Sequence, residues 1–184
     1  MKQSHLMKPK HAIAVASALL AIVTAPASAT PAETESTPYV MTVISDAAHG
    51  RRVTAGKYSQ AIQKITHGGQ RTRARFADQN NLCVAYAKTV ELDKAAAACE
   101  AAIAQLKKKE PRILRKSSVI GGQLDAYRSD LSVALSNRGV LRAVAGKTEL
   151  ARQDFNAAIE LRSRVSRIAE ENLDRLEQAE LPGA

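Results

Sequence analysis

From residue 46 onward the chain is built from apolar stripes of helical period separated by short breaks marked by glycine or proline. Leu124, Tyr127, Leu131, Ala134, Leu135 and Leu141 recur at spacings of three and four, or multiples of them, and form one stripe on one helical face. The same punctuation predicts Asp46–Ala55 and Lys57–Thr66 on either side of Gly56, closed by Gly68-Gly69. It then predicts Thr72–Thr89 with a break near Glu91, and Leu92–Lys108. The long helix from about Leu124 is ended by Gly146, Thr148 can cap a helix running to about Arg162, and Val165–Ala179 precedes the final Leu-Pro-Gly-Ala. Pro111 and Gly121-Gly122 bracket a stretch expected to be irregular. Only residues 39–45 alternate with strand period, Val40, Thr42 and Ile44 against Met41 and Val43. So short and solitary a run reads equally as an extended lead-in or a paired strand. Helix follows helix, and the expected fold class is all-α.

Two stretches superimpose when residues 80–103 are laid on 136–159. Cys83 then falls on Gly139, Ala95 on Ala151, Cys99 on Phe155, Ala102 on Ala158 and Ile103 on Ile159. A glycine inside a helix costs about 1 kcal/mol relative to alanine. Small residues at Gly139 and Ala151 are explained if each stretch is a hairpin of antiparallel helices that come closest there, at axes ~8–10 Å apart.

This pattern resembles the tetratricopeptide repeat, a 34-residue helical hairpin with small residues at recurring positions. The likeness is carried by Gly139, Gly146, Ala151, Phe155 and Ala158 in one unit and by Leu82, Tyr86, Ala95 and Ala102 in the other. Residues 55–65, with Gly56, Tyr58 and Ala61, resemble the second half of an earlier, degenerate repeat, and residues 169–177 the first helix of a following one. The resemblance implies a short right-handed solenoid of about three helix pairs. Its expected parts are a degenerate repeat at about 45–67, a repeat at 76–108, a basic insertion at 109–122, a repeat at 123–162 and a capping helix at 165–179. The family's tryptophan and turn proline are missing, and Arg142 stands where an aromatic is usual. The two best units start at 80 and 136, and the excess over the family's period places the insertion between them.

Cys83 and Cys99 are the only cysteines. In the hairpin they lie on opposite helices at similar distances from the turn, beside alanines that allow the ~4.4–6.8 Å Cα separation of a disulfide. An intrachain Cys83–Cys99 bridge is expected, with two buried thiols as the alternative. Their sixteen-residue separation is unlike that of a redox-active pair.

Composition adds a compartment. Lys2, Lys8 and Lys10 precede the apolar run Ala12–Thr24 and the small residues Ala27-Ser28-Ala29. This is the pattern of a secretory signal peptide, cleaved after Ala29, and it is too short for a stable span. The expected mature protein is periplasmic or secreted, begins with a polar tether at 30–38 and has no integral membrane span. The formal charge is +9, falling to about +6 once three lysines leave with the signal.

Chemistry is sparse. No HExxH, GxSxG, paired CxxC or phosphate-cradling glycine loop is present, so neither an enzyme nor a cofactor or metal is expected. In the resembled family the first helices of successive repeats line a groove that receives an extended peptide or another protein. An asparagine there can bond a peptide backbone with both its donor and its acceptor. Asn81 and Asn137 occupy equivalent positions and Asn172 can continue the series, although such side chains can equally bond their own neighbouring helices. Lys88 and Arg138 are candidate cationic contacts to the same ligand. The alternative function places binding on a basic loop, Lys107, Lys108, Lys109, Arg112, Arg115 and Lys116, directed at anionic envelope lipid or cell-wall polymer. Nucleic acid is not an expected partner, because no aromatics interleave with the basic groups.

Overall fold

The computed structural model describes residues 37–68, 76–116 and 121–181, all within one compact unit spanning residues 36–184. The expected signal peptide, and the tether up to residue 36, lie outside the described residues. Among the described residues there are seven α-helices and no strand: α1 (Gly50–Thr54), α2 (Tyr58–Gly68), α3 (Phe76–Lys88), α4 (Leu92–Lys116), α5 (Gly121–Val144), α6 (Thr148–Glu160) and α7 (Ser166–Glu180). The all-helical class is as expected.

The helices pair as α1/α2, α3/α4 and α5/α6, and the three connections are the same turn. The N–H groups of Lys57, Glu91 and Lys147 donate to the carbonyls of Arg52, Tyr86 and Arg142 at 2.8, 2.9 and 2.8 Å. One residue earlier, the N–H groups of Gly56, Val90 and Gly146 donate to Val53, Ala87 and Ala143, and all three residues have positive φ, at 71°, 61° and 69°. This pair of bonds satisfies carbonyls that a helix end would otherwise orphan. Five residues beyond each turn stands a fully buried alanine, Ala61, Ala95 or Ala151. The chain is thus a helical repeat by its own geometry.

Close approach at those alanines is used differently in two hairpins. In α5/α6 the ring of Phe155 lies over Gly139, and a Cβ placed on Gly139 would stand 2.6 Å from the ring. In α3/α4 the equivalent positions hold the expected bridge, Cys83–Cys99, with Cα atoms 5.0 Å apart. Apolar clusters then run along the stack. One gathers Phe76, Ala102, Ile103, Leu106, Tyr127, Leu131, Ala134, Leu135, Ala158 and Ala169, which joins α3–α7. Tyr127 brings its hydroxyl into that cluster, and burial, with the negative charge of Glu110, pushes its pKa up to about 12.

Several sequence expectations need correction. The basic stretch is not a loop: α4 runs through Pro111 to Lys116, eight residues past the expected end. Ile103 and Leu106 are buried, and Ile113 packs on the same cluster, so the apolar stripe keeps the helix going. Lys107 and Pro111 are both exposed, so the proline lies on the outer side of the helix, away from the apolar stripe. Gly121 and Gly122 open α5 rather than lie in the irregular stretch. Residues 46–49, expected to be helical, form turns, and α1 keeps only five residues. Thr148 is the first residue of α6, preceded by Lys147 with no side-chain cap. Arg162 lies beyond the end of α6 with φ 49°.

Candidate functional site

Helices α3, α5 and α7 carry Asn81, Asn137 and Asn172, all 0–1% exposed, and each holds one residue of the same extended segment. The Asn172 Oδ1 accepts the Val40 N–H at 2.8 Å, and its Nδ2 donates to the Val40 carbonyl at 2.8 Å. Asn137 holds Thr42 in the same way at 2.7 and 2.8 Å, and Asn81 holds Ile44 at 2.9 and 3.0 Å. In extended chain the N–H and C=O of one residue point to the same side, and those of residues two apart share it. A row of asparagines one repeat apart therefore reads every second residue. The segment runs from α7 across α5 to α3, opposite to the order of the helices in sequence.

A second tier fixes the asparagines themselves. The Asn80 Nδ2 donates to the Thr42 carbonyl at 3.0 Å, while its Oδ1 accepts from Asn137 at 2.9 Å. Ser136, which follows Asn80 in the repeat register, accepts a longer bond from Asn172 at 3.4 Å. Asn137 on α5 thus leans on α3, and Asn172 on α7 leans on α5. Asn80 is the functional residue that sequence reading misses, although its neighbour Asn81 stands out.

The segment's side chains fill the walls. Tyr39 and Met41 pack on the cluster of Val140, Ala151, Phe155 and Leu176. Met41 and Val43 pack on Val53, Ala61, Val84 and Ala85. Ile44 reaches the large cluster that includes Phe76 and Leu135, whereas Val40 is 42% exposed. Tyr39 sits near the end of α7, where burial and then the Glu180 carboxylate raise its pKa above the ordinary tyrosine value. The lead-in is extended, as one of the two sequence readings holds, but its hydrogen-bonding partners are side chains rather than a strand.

The two cationic candidates stand elsewhere. Arg138 turns from the segment to the second helices, donating to Asp154 at 2.9 and 2.6 Å and to Glu100 at 2.9 Å. Burial works against its charge, but the bonds and charges of Asp154 and Glu100 together outweigh it and raise the pKa. Arg142 joins the same buried Asp154 at 2.8 Å. Lys88 is exposed at the end of α3. Lys107, Lys108, Lys109 and Arg112 are exposed on the last turns of α4, which Arg115 and Lys116 complete in sequence. Lys109 lies near Asp130, whose carboxyl is raised by burial and lowered in part by that lysine. Among the described residues no three His, Cys, Asp or Glu side chains gather as metal ligands, and no helix is long and apolar enough to cross a membrane.

No protein-family model, curated protein or solved structure matches the chain. Its function has to be sought in the geometry of the groove and of the segment lying in it.

Proposed function

We propose that the chain is an exported, non-enzymatic binding module, a tetratricopeptide-like solenoid whose groove engages an extended stretch of polypeptide. The observation that carries this reading is the row of three asparagine clamps on alternate residues, Val40, Thr42 and Ile44. Such clamps grip main chain and are indifferent to the side chain at the gripped residue, which suits a protein or peptide ligand. Export is supported by the signal-like amino terminus and by the Cys83–Cys99 bridge, since disulfides persist in oxidising compartments.

Selection of displayed decapeptides on the purified chain tests it. Groove binders are expected to lose about tenfold in affinity on Asn137→Ala, the loss of one charge-free bidentate contact. They are expected to be unmoved by charge reversal at Lys107, Lys108 and Lys109. Binders that ignore Asn137 and disappear on charge reversal or in high salt would move the function to the basic end of α4.

A further inference from the structure

We propose that residues 39–44 are a built-in occupant of the groove, which leaves to admit, in the same register, an extended segment of a second polypeptide with bulky apolar residues at alternate positions. This rests on the reading of the groove as a polypeptide-binding site. The asymmetry of burial is the first argument. The four asparagines that touch the segment are 0–1% exposed, while no residue from 39 to 44 is fully buried. The permanent part of the site belongs to the helices, and the segment lies over it.

The second argument is that no main-chain pairing holds the segment. Among the described residues, the main-chain groups of Met41 and Val43 make no hydrogen bond, and no strand pairs with them. Departure therefore breaks the clamp bonds at Val40, Thr42 and Ile44 and exposes a set of apolar contacts, and leaves the helical hydrogen bonds intact. The emptied groove would open a row of amide groups and the apolar walls beside them to water, and a second extended chain would replace that water with main-chain bonds and apolar contacts. The third argument is the hinge. Residues 45–49 are turns, and Gly50 lies so close to the Ile44 carbonyl that a Cβ on it would stand 2.0 Å away. Within the described chain this is the segment's only covalent connection to a helix, and its departure need not move one.

The clamps and walls define what a replacement must look like. Positions equivalent to Val40, Thr42 and Ile44 must present an N–H, which excludes proline there. Positions equivalent to Tyr39, Met41 and Val43 must be apolar. Met41 is the most demanding of them, because it touches three separate clusters. The residue at the Val40 position is free to vary, since that side chain is 42% exposed. A partner of this kind is strand-like polypeptide caught outside its own sheet.

The probe is a labelled peptide with the sequence of residues 37–46, added to the whole chain and to its Thr42→Pro variant, which cannot donate to Asn137. Amide exchange of the unaltered chain is measured beside it, and circular dichroism checks that the variant keeps its helices. The proposal expects the Val40, Thr42 and Ile44 amides to exchange at least about tenfold faster than those of α3 and α5. It also expects the peptide to bind Thr42→Pro at least about tenfold more tightly than the unaltered chain, and adding Asn137→Ala to weaken that binding about tenfold. Exchange of the three amides at the rate of the flanking helices overturns the proposal, whether or not Thr42→Pro folds. Equal binding to both chains, indifferent to Asn137, also overturns it, and leaves polypeptide binding to another surface. A folded Thr42→Pro chain that ignores the peptide overturns the groove reading itself.

Discussion

Hairpins α3/α4 and α5/α6 share one turn, one buried alanine and one clamping asparagine, yet they join their helices by different chemistry. Where α5/α6 sets the Phe155 ring on Gly139, α3/α4 sets Cys99 against Cys83 and bonds them. The volumes are divided differently, very small plus very large in one hairpin and two of middling size in the other, and the helices still close. The neighbourhood explains the division. Helix α6 is also held by α7 and by the buried Asp154, which takes Arg138 and Arg142. On its other side α3/α4 meets the short α1/α2 pair, and its own two helices carry a covalent tie. The lesson is that one turn and one register admit more than one chemistry at the contact between the helices.

The hardest way to break this comparison is to empty the ring from α5/α6. Phe155→Ala leaves a cavity under a fully buried site and is expected to destabilise by about 3–5 kcal/mol. Denaturant melts at constant slope would show it as a lower midpoint. A loss under about 1 kcal/mol would mean that the ring contributes little and that the Asp154 cluster holds the hairpin.

Next in size is the bridge. Cys83→Ser with Cys99→Ser is expected to lower stability by about 3 kcal/mol, and a reductant should do the same to the unaltered chain while leaving the double variant unmoved. The comparison is sharpened by transplantation. Cys83→Gly with Cys99→Phe copies the α5/α6 arrangement into α3/α4 and should recover most of that loss without sensitivity to reductant. If it recovers none, the two hairpins differ in backbone separation, and they share no fixed distance.

These equivalences show how far the sequence can be read. The small residues at Gly139, Ala95 and Ala151, the cysteine pairing and the equivalent register of Asn81 and Asn137 are legible because helical period and repeat spacing fix which positions face each other. Besides Asn80, three things are not legible. The occupant of the groove escapes notice, although a solitary strand pattern in an all-helical chain poses a question about where its main-chain bonds go. The answer lies in side chains distant in sequence, such as Asn172 for Val40. Helix α4 reads short because proline is ordinarily a stop, whereas tertiary packing at Leu106 and Ile113 overrides it. Arg138 looks like a groove residue by its adjacency to Asn137. Adjacent residues on a helix point about 100° apart, however, and the buried Asp154 claims it.

The smallest effect isolates the turn that the hairpins share. Val90 holds the left-handed conformation, φ 61°, that Gly146 holds at 69° in the equivalent place. That conformation costs a β-branched residue about 1–2 kcal/mol, because its Cβ crowds the following carbonyl. Val90 is 61% exposed and recovers little of this by packing. Val90→Gly should therefore stabilise, but glycine also loses more chain entropy on folding, about 0.5–1 kcal/mol, so a net gain of about 1 kcal/mol is expected. The reverse exchange supplies the control. A Cβ on Gly146 would meet nothing within 4 Å, so Gly146→Val adds backbone strain without a clash and should destabilise by a similar amount. Thermal melts of the two variants should move in opposite directions by a few degrees. Movement of both in the same direction would show that the exposed valine is held by contacts rather than tolerated, and that the two turns, identical in their hydrogen bonds, differ in their surroundings.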